Sequence, residues 1–172
     1  EIGTLLNAMK SMSGNIKNLV GELGDVSNAA VAGKLDKRAN ETNFKGEYKT
    51  IMSGVNATLD AVIGPLNVTA EYVDRISKGD IPQKITENYN GDFNEIKNNL
   101  NQCIDSINAL VHDAVMLSIA GVEGKLSTRA NESKHNGDFR KIVKGVNDTL
   151  DAVINPLNVA ANYVDRISKG DI

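Results

Sequence analysis

Histidine and cysteine most often supply the chemistry of active sites and metal sites, and this sequence contains only Cys103, His112 and His135. The histidines lie far apart in unlike contexts, so a solvated or packing role is favoured over metal binding for each. His112 also lacks the sequence context of a phospho-acceptor histidine. No phosphate-binding glycine loop and no Cys/His cluster occurs. We therefore expect no enzymatic activity, no cofactor, no metal and no small-molecule ligand.

Asparagine-containing motifs are the other candidates for a chemical role. Asn40-Glu41-Thr42 and Asn147-Asp148-Thr149 match the acceptor pattern for N-glycosylation, which applies only to secreted proteins. The Asn-rich stretch 98–101 is most simply the solvent face of a helix. None of these motifs predicts a site.

Composition favours narrow helix seams over a wide globular core. The chain has 172 residues, a net charge of −3, 4% aromatic residues and no Trp. This charge gives no argument for nucleic acid or an anionic membrane, and no apolar run approaches the roughly 20 residues of a membrane span. One cysteine cannot form an intrachain disulfide, so a reducing compartment is favoured. The start at Glu1 without Met suggests an excised fragment.

An internal duplication determines the organisation. Residues 1–81 align without a gap on residues 92–172, and Tyr72–Ile81 returns unchanged as Tyr163–Ile172. A weaker half-period lies inside each copy: a Gly-x-Leu/Ile pattern is followed four positions later by an apolar or small residue. The structural unit is therefore about half the long repeat, and two unlike units alternate.

Apolar residues recur at alternating steps of three and four, the a/d spacing of a left-handed coiled coil. One series runs from Ile2 to Val26, and a second contains Phe93, Ile96, Leu100, Cys103, Ile107, Leu110, Ala114 and Leu117. Each series predicts a long helix. Cys103 is predicted to be a small buried hydrophobe of the seam, so oxidative crosslinking to a second copy is disfavoured.

The region between these series departs from a strict heptad. Steps of four join Ile51, Val55 and Leu59, a stutter that locally unwinds a supercoil. Pro65 and Pro156 follow, and the heptad phase continues beyond each of them. Because proline usually ends or kinks a helix, we expect a bend or a junction between two helices there, with the bend slightly favoured.

Polar connectors separate the helices, at about Gly33–Gly46, Gly79–Gly91 and Gly124–Gly137. Their opening glycines are typical of helix C-caps, and Gly91-Asp92 followed by Glu95 predicts an N-cap with a capping box. About 13 extended residues span roughly 40 Å, more than the roughly 24 Å of a 16-residue helix. Each connector can therefore run back along the helix, so that the next helix starts level with the first and parallel to it. A second copy of the chain would then complete a parallel four-helix bundle.

This arrangement resembles the HAMP domain, the relay module of bacterial chemoreceptors and sensor kinases. The matching residues are Pro65, Leu66, Val73, Ile76, Gly79, Asp80, Ile81 and Ile85. Glu1-Ile2-Gly3 resembles the family's start of a second helix, whereas the later second helices depart from it. The units whose connectors open at Gly33 and Gly124 also lack the proline and the Gly-Asp pair. The alternation therefore resembles poly-HAMP arrays, in which standard and divergent modules are stacked.

The resemblance implies an all-α fold of tandem parallel four-helix coiled-coil bundles formed by a homodimer. The expected modules are the second helix of an upstream HAMP (1–15), a divergent HAMP (16–63), a standard HAMP (64–108), a divergent HAMP (109–154) and the first helix of a further HAMP (155–172). The expected function is relay of a conformational signal from a sensor to an output domain of the same polypeptide, most simply in a methyl-accepting chemotaxis receptor. A sensor histidine kinase and, outside this class, a passive coiled-coil spacer are the alternatives. The localisation expected is cytoplasmic, with a parent protein that is either soluble or membrane-anchored.

Relay and packing are assigned to the helix and connector residues that carry these patterns. They are Pro65, Leu66, Val73, Ile76, Gly79, Asp80, Ile81, Ile85, Phe93, Ile96, Leu100, Cys103, Ile107, Leu35, Leu126 and Pro156. Of these, Leu35, Ile81, Ile85 and Leu126 are expected to anchor the connectors to the bundle.

Overall fold

The computed structural model describes residues 1–171, which form long α-helices and no strand. The helices are α1 (Ile2–Val31), α2 (Glu47–Ser77), α3 (Gly91–Val122) and α4 (Gly137–Ser168). The first connector (32–46), the second (78–90) and the third (123–136) join them. The predicted all-α fold is confirmed, and Ile172, the last residue of the expected 155–172 module, lies outside the described residues.

Both proline-containing helices run without interruption. Pro65 lies inside α2 and Pro156 inside α4, so the expected alternative of a junction between two helices is wrong. Thr69 Oγ1 donates to the carbonyl oxygen of Pro65 at 2.9 Å. Like α3, each of these helices is unbroken from the end of the preceding connector to its own C-terminal turn.

Each described helix ends in the same hydrogen-bonded turn. At the end of α3, the Lys125 N–H donates to the carbonyl of Ala120 (2.8 Å) and the Gly124 N–H to that of Gly121 (3.2 Å). These two bonds define a Schellman motif, which needs a left-handed residue after the helix. Gly124 has φ +73°, which explains the glycine that opens the connector.

The helix starts differ from the expectation. The N-cap of α3 is Asn90, without a side-chain cap hydrogen bond, and Asp92 lies within the first turn. The predicted capping box is therefore wrong. The reason is that Gly91 adopts φ +53° and already belongs to the helix, so the chain enters the helix before the proposed capping residue.

Two glycines near the end of α3 should respond to alanine in opposite directions. No atom lies within 4 Å of a Cβ added at either Gly121 or Gly124, so only backbone conformation differs. Gly124→Ala forces a left-handed alanine and should lower the free energy of unfolding by about 1 kcal/mol. Gly121→Ala should raise it by roughly 0.5 kcal/mol because helical glycine is unfavourable. Chemical denaturation of both variants measures the difference, and equal effects would contradict this interpretation.

The first compact unit, Glu1–Tyr72, shows how the first connector runs. The Asn40 N–H donates to Glu22 Oε2 (3.2 Å), well before α1 ends, so the connector runs back along α1. Ala39 binds Asn56, well after α2 begins, so the connector advances toward the start of α2. Helices α1 and α2 therefore point in the same direction.

The second compact unit begins at Val73 and repeats this arrangement in its third connector. His135 contacts Asp113, which precedes the end of α3, and Ala130 contacts Asn147, which follows the start of α4. Helices α3 and α4 are thus also parallel. The expected parallel helix pairs are present within the chain.

Helix α3 is long and apolar enough, by length and composition alone, to cross a membrane. This differs from the expectation that no apolar run approaches that length. In the structure the helix instead carries polar contacts to the connectors: Asn101 binds the backbone of Ile85, and Asp105 pairs with Lys84. Its apolar residues form the stripe predicted for a helix seam.

Candidate functional site

Three asparagine side chains, one each on α2, α3 and α4, bind the backbone of the connector that precedes the helix. Asn101 Oδ1 accepts from the Ile85 N–H (2.7 Å), and its Nδ2 donates to the Ile85 carbonyl (2.9 Å). The other two pairs have the same geometry: Asn56 with Ala39 (2.9 and 2.9 Å) and Asn147 with Ala130 (3.1 and 2.9 Å). We call these three contacts the asparagine bridges. Each satisfies both backbone polar groups of a buried connector residue, which would otherwise be costly to bury.

Sequence reasoning missed this role. The pattern of residues 98–101 indicates a solvent face, and Asn147 stands out only as part of a glycosylation motif. Asn101 is instead half-buried and binds the connector. A signal was present, because an aspartate follows each bridging asparagine by one helical turn. The three pairs are Asn56/Asp60, Asn101/Asp105 and Asn147/Asp151.

Each of those aspartates forms an ion pair with the Arg or Lys side chain that stands one residue before the bridged connector residue in the sequence. Arg38 pairs with Asp60 at 2.6 Å and Arg129 with Asp151 at 2.7 Å. In the second connector Lys84 pairs with Asp105 at 3.1 Å. The three carboxylates are more than half exposed (67%, 56% and 59%), so each pair contributes at most about 1 kcal/mol. Their main effect is to fix the register of the connector on the helix.

The first and third connectors contain an additional local cap. Asn40 Oδ1 accepts from the N–H and the hydroxyl of Thr42 (3.0 and 2.7 Å). Asn131 does the same with Ser133 (3.0 and 2.7 Å). Each starts a short 3-10 turn, Glu41–Asn43 or Glu132–Lys134. The Asn40-Glu41-Thr42 motif thus has a structural explanation as a turn.

A different buried side chain follows each of these turns. In the first connector, Phe44 (6% exposed) packs in one cluster with Val26, Ala39 and Met52. In the third, His135 (3% exposed) lies with Nε2 2.7 Å from Oδ2 of Asp113. His135 is therefore a buried packing residue, one of the two roles expected for it, and its ring also has a polar partner in Asp113.

The end of α2 carries a charge pair on the Gly-Asp motif. Arg75 Nε donates to Asp80 Oδ2 at 2.7 Å, and this hydrogen bond lowers the pKa of Asp80 below its ordinary value. Because the folded-state pKa is lowered, the contact stabilises the fold at neutral pH, and its contribution is lost as pH falls through that lowered pKa. Arg166 and Asp171 form the same contact at 2.7 Å in the repeat.

Apart from Val26, the residues buried within the single chain are not those of the predicted seam. Met52 is 0% exposed and Val143 is 3% exposed, whereas their neighbours on the seam, Ile51 and Ile142, are 45% and 51% exposed. Adjacent helical residues point about 100° apart. The connectors therefore cover one face of the second helices, and the heptad stripe remains open beside it.

The structure places the predicted relay and packing residues in three environments. Ile85 is buried. Six are half-buried: Pro65, Ile76, Ile81, Phe93, Leu100 and Ile107. The exposed ones are Leu35, Leu66, Val73, Gly79, Asp80, Ile96, Cys103, Leu126 and Pro156. In the first and third connectors the buried anchors are Ala39 and Ala130 rather than Leu35 and Leu126.

Cys103, predicted to be a small buried hydrophobe of the seam that a second copy completes, is exposed in the single chain, as is Ile96 of the same stripe. Its neighbour Ile104 is 1% exposed. No group of His, Cys, Asp or Glu side chains within residues 1–171 has the arrangement of a metal site.

An open groove lies between α3 and α4, the two helices that the third connector joins. It has a volume of about 320 Å³ and is lined mainly by apolar side chains, among them Leu110, Leu117, Ile142, Val146 and Leu150. Leu110 and Leu117 belong to the heptad series of α3. On α4, Ile142, Val146 and Leu150 repeat the four-residue steps of Ile51, Val55 and Leu59. The groove leaves these apolar side chains of both helices open to solvent.

Comparison with known proteins identifies the family. A model of the HAMP domain matches residues 43–109 and 134–172, which together make up more than half of the chain. The methyl-accepting chemotaxis protein McpB of Pseudomonas aeruginosa is 24% identical over 90 residues, 52% of this chain. The chain spans only 13% of the length of McpB. No solved structure matches the chain.

The matched ranges contain α2 completely and α4 completely, with the prolines, the stutters and the three bridging asparagines. Parallel helices joined by connectors that run back along them are the arrangement that the resemblance implied. The chain belongs to the HAMP domain family, whose members are signal-relay modules.

Proposed function

We propose that this chain is a parallel homodimer that relays a conformational change along stacked HAMP modules. The observation that carries this proposal is the open heptad stripe. Ile51 and Ile142 lie on it half exposed, while the adjacent face of the same helices is covered by the connectors. Two parallel helices cannot cover both stripes by themselves, and an identical pair from a second copy completes a four-helix seam.

The relay part of the proposal rests on the continuity of the helices. Helix α3 begins as the second helix of the expected standard module (64–108) and runs without a break into the divergent one (109–154). A rotation or tilt of its first half is therefore transmitted to its second half. The stutters and the alternation of unlike modules favour packings with more than one stable state, which a passive spacer does not need.

The proposed parent is a methyl-accepting chemotaxis receptor. Its support is the relative McpB, which carries that description and is similar over half of this chain. The partners proposed are the sensor and output domains of the same polypeptide, and the proposed location of the modules is the cytoplasm. A histidine kinase parent is the other outcome, and the output domain that follows the array would distinguish the two.

The mass of the chain in solution tests the assembly. Multi-angle light scattering should give about twice the chain mass of 18.4 kDa. Ile51→Lys together with Ile142→Lys places charges on the stripe and should shift the mass to that of one chain. Lys substitution at Asn99, an exposed residue of α3, is the matched control and should leave the dimer intact. A wild-type chain that is monomeric at micromolar concentration would contradict the proposal.

A further inference from the structure

The two polar or charged side chains that are buried within the described residues, His135 and Asp113, meet where the third connector packs against α3. His135 belongs to the connector and Asp113 to α3. Their Nε2–Oδ2 distance of 2.7 Å is that of a strong hydrogen bond. At 3% and 9% exposure, neither residue has free access to water.

The first connector has an apolar contact at the same place. The ungapped repeat aligns Phe44 with His135 and Glu22 with Asp113. Phe44 is buried against apolar neighbours, while Glu22 Oε2 accepts from the backbone N–H of Asn40 at 3.2 Å instead. The two divergent modules thus have the same arrangement of helices and connector. They differ in the contact between connector and first helix, which is apolar packing of Phe44 in one and the His135–Asp113 hydrogen bond in the other.

This difference has a physical consequence. Apolar contacts are non-directional, so Phe44 can remain buried while a helix shifts slightly. A buried hydrogen bond depends steeply on distance and angle, and leaving a buried donor or acceptor without a partner is costly. The third connector therefore favours two discrete arrangements, one with the pair made and one with it separated and hydrated.

The attachment to α4 does not share this dependence. Arg140 Nε donates to the carbonyl oxygens of His135 (3.0 Å) and Glu132 (3.2 Å), and Asn147 binds the backbone of Ala130. These contacts hold the connector on α4 whether or not the His135 ring has its partner. Separation of the pair releases the connector from α3 alone.

We propose that the His135–Asp113 pair is a state-dependent attachment, made in one signalling state of the third module and broken in the other. Both residues are positioning residues for the relay. This inference rests on the proposed function, because it assigns the two arrangements of the connector to the two states of the relay.

Hydrogen–deuterium exchange of the intact 172-residue chain tests the attachment. Asp113→Ala leaves the His135 ring without a partner and should raise amide exchange in the third connector (123–136) by about tenfold or more, with the first connector (32–46) unchanged. Asp113→Asn retains an acceptor and should stay close to wild type. The double variant Asp113→Glu/His135→Phe copies the first module and should exchange no faster than wild type. Unchanged exchange in Asp113→Ala, or an equal rise in both connectors, would overturn the inference.

Signal output of the full-length parent protein tests the state dependence. Asp113→Ala favours the released arrangement, and the Phe-containing double variant favours the attached one, so the two should shift output in opposite directions. If a one-residue insertion after Ala114 alters output and Asp113→Ala does not, the proposed relay stands and this inference fails. If neither alters output, the relay itself fails.

Discussion

Asn101→Ala is expected to lower the free energy of unfolding by about 2–3 kcal/mol, because two hydrogen bonds to the backbone of one buried residue are lost together. The Ile85 N–H and carbonyl, held at 2.7 and 2.9 Å, would have no protein partner. Ile85 itself is 4% exposed, so water reaches these groups only if the connector moves. Thermal and denaturant unfolding followed by circular dichroism measure the loss, and hydrogen exchange locates it in residues 78–90.

Asn99→Ala is the matched control for this variant. Asn99 is exposed on the same helix, and the same side-chain atoms are removed. Its effect should stay within about 0.5 kcal/mol. Asn101→Asp, which places a carboxylate oxygen against the Ile85 carbonyl where Nδ2 donates, should destabilise at least as much as alanine. Equal effects of Asn99→Ala and Asn101→Ala would show that the bridge contributes nothing.

The second large effect is expected from one residue inserted after Ala114 in α3. The insertion rotates everything that follows by about 100° relative to the preceding module. The two halves of α3 can then no longer present their stripes to one seam, so signal output in the parent protein should be lost or inverted. A spacer, which only separates two domains, would tolerate the same change.

A seven-residue insertion at the same point provides the phase control. It lengthens α3 by two turns of a heptad repeat but keeps the stripe nearly in register. Output should be retained in this variant to a much greater extent than after the single insertion. If both insertions leave output unchanged, the chain acts as a spacer and the relay proposal is wrong.

The helices and connectors were predictable because their signals are periodic or tied to single residue types. The a/d steps from Ile2 to Val26 determine a helix whatever its neighbours are. Gly124 marks its helix end because a left-handed residue after a Schellman turn favours glycine. The parallel direction of the helices followed from connector length alone, and the contacts of Asn40 and Ala39 confirm it.

The connector attachments were not predictable in the same way. An asparagine such as Asn101 looks identical on a solvent face and beneath a connector, and only the register of the connector distinguishes the two. The full burial of Met52 and Ile104 was unpredictable for the same reason, because the heptad phase indicates the seam but not which residues the connector covers beside it. The capping box failed because Gly91, at φ +53°, starts the helix earlier than its polar neighbour suggested.

The pairing of His135 with Asp113 shows a further limit. The two residues lie in different elements, and neither lies in a motif that indicates a partner. The duplication could have drawn attention to the position, because Phe44 occupies it in the other copy. Only the folded chain shows that a buried carboxylate faces the histidine.

The direction in which two copies lie together is measured most directly by thiol crosslinking at one stripe position in each compact unit. Ile51→Cys and Ile142→Cys, each in a Cys103→Ser background, are treated separately and as a mixture with a short bismaleimide. A parallel dimer predicts that each variant crosslinks with itself, with no preference for the mixed product. Crosslinks that form only between position 51 of one copy and position 142 of the other would show an antiparallel pair and would contradict the parallel four-helix seam.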